Sequence, residues 1–395
     1  MHDQKLLERH LKFSNPDYVL YVPKNEDYES DNVHLHVVDH KQFGGLIAFW
    51  TQSSFEGTGD NHAMMSRSKD GGKTWSEAKF IIGAKPSEDK KEKQAHWAFP
   101  AVSRSGRIYL FYYREVEVIV NNRQITGMFS CIYSDDFGDT WSESYDVPLR
   151  VTPLDKHGQL QDNCCYQMPR RFSDGKYLFG YSKYTSRTTD YEGQDAHVYF
   201  ARIENIDDDP LPCNLKITHL PDNEMGITIP VGENGSCAQE PCIVELPDGR
   251  LFCTLRSIKG YVHYTVSEDM GHTWREPEVV CFDDGTPMVH PLSPCPIYRL
   301  EDNKYVLLFH GVTSENNIWL PRNPIRKVIG YFDADGHQPI RFAAGSDEIF
   351  MELPEDEQAQ IGNEALSMYG CYVKQGEKDI IWYPDRKFFL LGKEI

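Results

Sequence analysis

The hydrophobic positions of this chain fall into six pairs of extended runs. In each pair, a mostly apolar run is followed by a polar turn, often Asp-Gly, and then by a second apolar run. Apolar runs of this length, bounded by such turns, predict β-strands joined as hairpins. The six predicted hairpins lie within residues 34–50, 99–111, 166–178, 240–252, 293–309 and 369–382.

A second motif repeats in register with these hairpins. The form Ser-x-Asp-x-Gly-x-Thr-Trp begins at Ser68, Ser134 and Ser267, so the intervals are 66 and 133 residues. An incomplete fourth copy at Asp333 continues the same spacing. The Ser and Asp side chains can bind nearby backbone amides and Gly adopts a positive φ, so the motif predicts a turn. A fixed period of this length is typical of repeat folds.

The repeats predict the architecture of the whole chain. Six units of about 66 residues nearly fill its 395 residues, and repeated four-stranded units make a β-propeller. We therefore predict an all-β fold, a six-bladed β-propeller that forms a single domain over residues 1–395. The last unit is short of strands, and a short apolar run at residues 18–22 precedes the first hairpin. We expect this N-terminal strand to complete the last blade and close the ring.

Composition narrows the classes of function. The net charge of −19 argues against binding to nucleic acid or to an anionic membrane surface. No apolar run is long enough to span a membrane, and no signal region is evident. The ten cysteines show no metal-ligand spacing, which favours free thiols and a cytoplasmic location. We predict no metal and no cofactor, and the oligomeric state stays open.

Candidate functional residues are the polar side chains near the ends of the predicted inner strands, because loops at the mouth of a propeller carry function. These residues are His34, His36, Asp60, His62, His96, Gln167, Glu240, Arg256, Arg322, Arg326 and Tyr369.

With these residues and its Asp boxes, the chain resembles the Asp-box sialidase superfamily over nearly its whole length. Sialidases carry a glutamate at the start of one blade and an arginine at the end of the same hairpin, as Glu240 and Arg256 do here. The resemblance implies that Tyr369, which opens the last blade, is the nucleophile and that Glu240 accepts its proton. It also implies that Asp60, with His62 as the alternative, protonates the leaving oxygen.

The resemblance further implies a glycan substrate that carries an acidic group. Arg256 would hold this group together with a later arginine, for which Arg326 is the first candidate and Arg322 the second. His34, His96 and Gln167 are the remaining candidates for contact with the substrate.

One departure from the sialidase pattern separates this chain from true sialidases. The first inner strand of a sialidase begins with Arg-Ile-Pro, whereas this chain has His34-Leu35-His36. A guanidinium grips a carboxylate through two parallel hydrogen bonds, which a histidine cannot reproduce. The chain is therefore similar to a non-sialidase branch, near the propellers that act on rhamnosyl-glucuronic acid caps.

Three functions remain open at this point. The first is an exo-glycoside hydrolase that releases a terminal acidic or acid-linked sugar. The second is a polysaccharide lyase, in which the arginines neutralise a uronate and His62, His96 or Tyr369 removes the neighbouring proton. The third is a glycan-binding propeller without catalysis. Convergence of Glu240, Arg256 and Tyr369 in one place would favour an enzyme.

Overall fold

Six antiparallel sheets, arranged as the blades of a propeller, make up the fold and confirm the predicted architecture. The structure is a computed structural model. It describes residues 4–24, 26–55, 59–84, 94–120, 123–155, 162–165, 167–184, 195–233, 235–357, 360–362 and 366–395.

The N-terminal half of the chain forms a short helical segment and the first three blades. Helix α1 (Gln4–Ser14), strand β1 (Tyr18–Tyr21) and helix α2 (Glu26–Glu29) precede the first blade. Blade 1 contains β2 (Asp31–His40), β3 (Gly45–Ser53), β4 (His62–Ser68) and β5 (Lys79–Gly83). Blade 2 contains β6 (Ala95–Val102), β7 (Ile108–Val120), β8 (Arg123–Ser134) and β9 (Tyr145–Asp146). Blade 3 contains β10 (Asp162–Cys165), β11 (Arg170–Arg171), β12 (Tyr177–Tyr184), β13 (Ala196–Ile203) and β14 (Ile217–Leu220).

The C-terminal half forms the other three blades. A small hairpin, β15 (Pro230–Val231) and β16 (Gly235–Ser236), precedes blade 4. Blade 4 contains β17 (Gln239–Glu245), β18 (Leu251–Arg256), β19 (His263–Ser267) and β20 (Glu278–Val279). Blade 5 contains β21 (Ile297–Arg299), β22 (Lys304–Phe309), β23 (Ile325–Phe332), β24 (Ile340–Phe342) and β25 (Glu348–Met351). Blade 6 contains β26 (Cys371–Gln375), β27 (Lys378–Asp385) and β28 (Phe389–Glu394). Short 3₁₀ helices lie at Ile206–Asp208, Pro212–Asn214 and Glu355–Glu357.

The ring is closed by the N-terminal strand, as the sequence predicts. β1 pairs antiparallel with β28, so the order of strands in blade 6 is β1-β28-β27-β26. Buried apolar clusters fill the space between each pair of neighbouring blades, including the pair formed by blades 6 and 1. The innermost strands of neighbouring blades also contact one another, as β2 does with β6 and with β26. Residues far apart in the sequence therefore meet at the axis.

The Asp boxes are turns held by their own side chains. In the first copy, Ser68 Oγ accepts the Gly72 N–H at 2.8 Å, and Asp70 accepts the backbone N–H and the hydroxyl of Thr74 at 2.9 and 2.6 Å. The second and third copies repeat these bonds. Each box lies between the third and fourth strands of its blade.

The tryptophan of each Asp box packs on the preceding blade. Trp75 of blade 1 meets Trp382 of blade 6, with ring centroids 5.3 Å apart. Trp274 of blade 4 stacks on Phe200 of blade 3 at 4.8 Å. The boxes therefore stabilise both their own turns and the contacts between blades.

None of the helices in the described ranges is long and apolar enough to cross a membrane. The cysteines whose side chains the structure describes are free thiols. Most of them are buried, and Cys213 is exposed.

Candidate active site

Three inner strands carry the same irregularity near their starts. The pairing of β2, β6 and β17 with the next strand is interrupted by a bulge. One residue at each bulge has a left-handed backbone, with φ of 54° at His34, 48° at Trp97 and 47° at Glu240. A residue other than glycine pays about 1–2 kcal/mol for this conformation, and bulges commonly re-aim a side chain. His34 thus occupies the same place in blade 1 that Glu240 occupies in blade 4.

Glu240, Arg256 and Tyr369 converge at the axis. Arg256 Nη1 donates hydrogen bonds to Glu240 Oε1 at 2.5 Å and to the Tyr369 hydroxyl oxygen at 3.3 Å. The Tyr369 hydroxyl donates to Glu240 Oε1 at 3.2 Å. The three side chains come from β17, from the end of β18 and from the segment just before β26. We call this group the axial cluster.

The axial cluster retains unused hydrogen-bonding groups although it is buried. Glu240 is 4% exposed and Arg256 is 5% exposed. Among the described residues, neither Glu240 Oε2 nor Arg256 Nε has a hydrogen-bond partner. Buried polar atoms in folded proteins are nearly always paired, with protein groups or with ordered water, so these two atoms are places where water or a polar ligand would bind. Burial is the largest single influence and lowers the pKa of Arg256, but the charge of Glu240, the hydrogen bond to it and the neighbouring Tyr369 and Tyr184 together raise the pKa well above its ordinary value.

Aromatic rings surround Tyr369 on the side of blades 1 and 2. The His34 ring lies 4.7 Å from the Tyr369 ring and 5.7 Å from the Trp97 ring. The His96 ring is tilted against the Trp97 ring, with centroids 5.3 Å apart. Burial, with smaller contributions from the neighbouring His36, Lys387 and His96, holds the pKa of His34 well below its ordinary value. His34 is therefore a neutral ring beside the tyrosine.

Of the two arginines proposed for the fifth blade, Arg322 is the one that the structure places near Arg256. Both guanidiniums lie over the ring of Trp319, Arg256 at 5.2 Å and Arg322 at 5.9 Å from its centroid. Arg322 also donates to the carbonyl oxygens of Trp319 and Leu292. Arg326, the first candidate, instead pairs with Asp347 on the side of the blade. The structure thus brings the second candidate, and not the first, close to the axial cluster.

Gln167 and His62 are engaged in holding the blades. The side-chain amide of Gln167 accepts the Ile243 N–H at 2.6 Å and donates to the Ile243 carbonyl at 3.2 Å. It therefore bridges the segment between β10 and β11 of blade 3 to the inner strand of blade 4, and its contact with a substrate stays a prediction. In His62, Nδ1 lies 2.8 Å from the Asp60 carbonyl oxygen and Nε2 lies 3.2 Å from the Gln52 side chain. Both partners are acceptor oxygens, so a neutral His62 can donate to only one of them, and these contacts hold its ring between β3 and the loop that contains Asp60.

Asp60 lies in the loop between β3 and β4, at the end of the blade where β2 begins. Its side chain is 1% exposed and accepts hydrogen bonds from the backbone N–H and hydroxyl of Ser54. Asp60 is therefore a buried carboxyl group on the same end of the propeller as His34.

Two further residues lie at this site that the sequence pattern did not identify. Trp319 lies in an irregular segment before β23, and Lys387 lies in the turn between β27 and β28. Lys387 is 6% exposed, and its Nζ lies 5.9 Å from the centre of the Tyr369 ring. From the sequence, a lysine in a tight hairpin turn is expected to be exposed to solvent. Only the three-dimensional structure shows that Lys387 lies beside Tyr369.

Metal ligands do not gather at the site. Within the residues that the structure describes, no group of three or more His, Cys, Asp and Glu side chains could hold a metal ion.

The six blades and the three Asp boxes define an Asp-box propeller, and comparison with known families agrees. Residues 44–329 match the model of the BNR repeat-like domain. Because this match covers more than half of the chain, the chain belongs to the BNR repeat-like domain family. Comparison with curated protein sequences found no relative.

Solved structures with the same fold include several enzymes that act on sialic acid. A leech intramolecular trans-sialidase in complex with 2,7-anhydro-Neu5Ac is 12% identical, with a TM-score of 0.66 over 100% of this chain and 72% of that chain. The NanB sialidase of Streptococcus pneumoniae is 12% identical, with a TM-score of 0.65 over 99% and 71%. The intramolecular trans-sialidase of Ruminococcus gnavus is 13% identical, with a TM-score of 0.63 over 95% and 96%. At these identities the similarity shows the fold alone.

Proposed function

We propose that this protein is an exo-glycoside hydrolase that releases a terminal acidic or acid-linked sugar from a glycan. The observation that carries the proposal is the shared hydrogen bonding of Tyr369, Glu240 and Arg256 at the propeller axis. The sialidase-type fold supports a glycosidase, and the cationic groups around the axis support an acidic substrate.

The geometry suits a covalent mechanism in two steps. A phenol is a weak nucleophile at its ordinary pKa of about 10, so it needs a base within hydrogen-bonding distance. Glu240 Oε1 occupies this place. Tyr369 attacks the anomeric carbon as Glu240 takes its proton, and the bond to the leaving oxygen breaks as Asp60 protonates that oxygen. Water then attacks the anomeric carbon and gives a proton to Asp60, the bond to the Tyr369 oxygen breaks as that oxygen recovers its proton from Glu240, and the free sugar is released.

Arg256 would serve both the protein and the ligand. Its Nη1 stabilises negative charge that develops on the Tyr369 oxygen, while the positive charge of the guanidinium would bind an acidic group of the sugar. Trp319 lies under the guanidiniums of both Arg256 and Arg322 and would fix their planes. A charge-assisted hydrogen bond of this kind contributes about 1.5–3 kcal/mol to binding.

A polysaccharide lyase is the second candidate, and the neutral His34 beside Tyr369 favours it. In this reaction the cationic groups neutralise a uronate carboxylate. A neutral imidazole or the tyrosine removes the proton next to the carboxylate, the bond to the leaving oxygen breaks, and a carbon–carbon double bond forms. The unsaturated product absorbs ultraviolet light, whereas the hydrolysis product does not.

The test is to incubate the protein with glycans capped by sialic acid, rhamnosyl-glucuronic acid and other uronates, and to determine the products by mass. We expect a free sugar that has gained the elements of water. Substituting Tyr369→Phe should lower turnover by a factor of about 100 or more while substrate binding persists. The matched control is Tyr372→Phe, because the Tyr372 hydroxyl bonds to Asp379 within blade 6.

Other outcomes assign the site differently. Elimination without uptake of water would identify a lyase. Binding of a capped glycan without formation of any product would identify the protein as a glycan-binding propeller without catalysis. Retention of most turnover in the Tyr369→Phe variant would remove the tyrosine from the mechanism.

A further inference from the structure

The hairpin turn between β27 and β28 has an unusual choice of residues. The Phe388 N–H donates to the Asp385 carbonyl at 2.9 Å, and the two residues between them are left-handed, with φ of 52° at Arg386 and 53° at Lys387. Turns with two such residues strongly favour Asn-Gly. Long side chains at these two positions strain the backbone. Strain that persists in a fold indicates that the side chains have a role.

Arg386 anchors the turn to the N-terminal helix. Its guanidinium donates to both carboxylate oxygens of Asp385, at 3.0 and 2.6 Å, and to Ser14 Oγ at 3.1 Å. It also contacts His10 Nδ1. Arg386 and Asp385 are fully buried. Arg386 therefore fixes the position of the residue that follows it.

Lys387 extends to the axial cluster. Its Nζ lies 5.9 Å from the centre of the Tyr369 ring, and its side chain is nearly buried. Its backbone carbonyl accepts the N–H of Asn32, two residues before His34. Lys387 also lies close enough to His34 for its charge to disfavour protonation of that ring. The lysine therefore lies near the place where Tyr369 and His34 meet.

This position matters because His34 is neutral. Arg256 meets Tyr369 at the hydroxyl, and Arg322 lies further along the Trp319 ring. On the side of His34, positive charge comes from Lys387. An ammonium group is a compact point charge with three donors, which can bind a carboxylate without the fixed orientation that a guanidinium fork requires.

We propose that Lys387 binds the carboxylate of the sugar at the axial cluster, on the side of the cluster that faces His34. The inference rests on the proposed function for the acidic class of the ligand, but not on turnover. It makes Lys387 a determinant of specificity for acidic over neutral sugars.

The experiment measures binding by titration calorimetry. The probes are N-acetylneuraminic acid and glucuronic acid, each compared with its uncharged methyl ester. We expect the unmodified protein to bind at least one acid more tightly than its ester. Lys387→Met and Lys387→Gln should weaken binding of the acid by about 10- to 100-fold and of the ester by much less, because a hydrogen bond to a charged group contributes about 1.5–3 kcal/mol. Lys387→Arg should retain part of the preference.

The control is Lys378→Met, which removes a half-exposed lysine from β27 that pairs with Glu394 away from the cluster. This variant should bind acid and ester as the unmodified protein does. An equal loss for acid and ester in both Lys387 variants, or no preference for any acid in the unmodified protein, would overturn the proposal. The binding measurement does not depend on catalysis. If the protein shows no turnover but Lys387→Met still loses binding of the acid, the hydrolase proposal is refuted and the role of Lys387 is retained.

Discussion

Glu240 combines a strained backbone with a buried charge. Its φ of 47° is unfavourable for any residue other than glycine, and its carboxylate is 4% exposed beside Arg256. Removing one partner of a buried ion pair costs about 3–5 kcal/mol, because the other charge is left without compensation in a medium of low dielectric. The same residue is thus needed for stability and for the proposed chemistry.

At this scale we predict that Glu240→Gln lowers the free energy of unfolding by about 3 kcal/mol. The comparison is Asp248→Asn, which disrupts the more exposed pair of Asp248 with Arg250 and should cost less than about 1 kcal/mol. Urea denaturation at neutral pH measures both. Equal and small losses in the two variants would show that Arg256 finds another partner when Glu240 is neutral.

The sequence indicated Glu240, Arg256 and Tyr369 because each stands at a strand end in a repeated pattern, and the structure brings these three together. Trp319 and Lys387 could not be predicted in this way. Trp319 lies outside the strands, and the direction of the Lys387 side chain depends on a left-handed turn that the residue types do not suggest. Gln167 shows the opposite case, since a polar residue at an inner strand can serve the neighbouring backbone.

At the scale of the elements, the Asp box is the part of this fold that sequence predicts best. Its hydrogen bonds run from Ser68 and Asp70 to residues within four positions, so the eight-residue motif contains most of the interactions that define the turn. Elements without local signals were missed. Helix α1 packs on blades 5 and 6, the hairpin of β15 and β16 bonds to Asp195 and Ala196, and strand β25 pairs with β23, so all three depend on contacts outside their own sequence.

The Asp box should respond to acid. The hydroxyl and backbone N–H of Thr74 bond to Asp70 and lower its pKa to about 2. A carboxyl group with a lowered pKa stabilises the fold above its ordinary pKa of about 4, and this contribution is lost as the pH falls toward 2. We predict that Asp70→Asn lowers the melting temperature by a few degrees at pH 7 and that the difference shrinks below pH 4.

The control for this prediction is Asp335→Asn in the incomplete fourth copy, where Thr and Trp are absent from the motif. Its melting temperature should follow that of the unmodified protein over the same pH range. A constant difference between Asp70→Asn and the unmodified protein down to pH 2 would show that the hydrogen bonds do not depend on the ionised carboxylate.

At the scale of the whole molecule, closure makes stability a property of the ring. Each blade packs on two neighbours through apolar clusters, and β1 joins the two ends of the described chain through β28. The sequence predicted this closure because the repeat count and the missing last strand both required it. It could not predict which inward-facing polar residues the ring would bury. Several of these are histidines, among them His34, His36, His290 and His310.

These histidines give the whole molecule a second response to acid, in a higher pH range than the Asp boxes. Burial lowers the pKa of His36 and of His290 to about 3. The unfolded chain binds protons at these sites below about pH 6.5 whereas the folded chain does not, so stability is complete above that pH and is lost as the pH falls. Each such histidine contributes a loss of about 1.4 kcal/mol per pH unit below pH 6.5.

His36 offers the sharpest test of this effect. Neither of its ring nitrogens has a hydrogen-bond partner among the described residues, and its ring lies 5.0 Å from that of Phe99. We predict that His36→Phe reduces the slope of unfolding free energy against pH between pH 6.5 and 4 by the amount that corresponds to about one proton, because Phe binds no proton in the unfolded chain. Urea denaturation at a series of pH values measures the slope. His337→Gln changes an exposed histidine and should leave the slope of the unmodified protein. An unchanged slope in His36→Phe would mean that His36 is protonated in the folded ring.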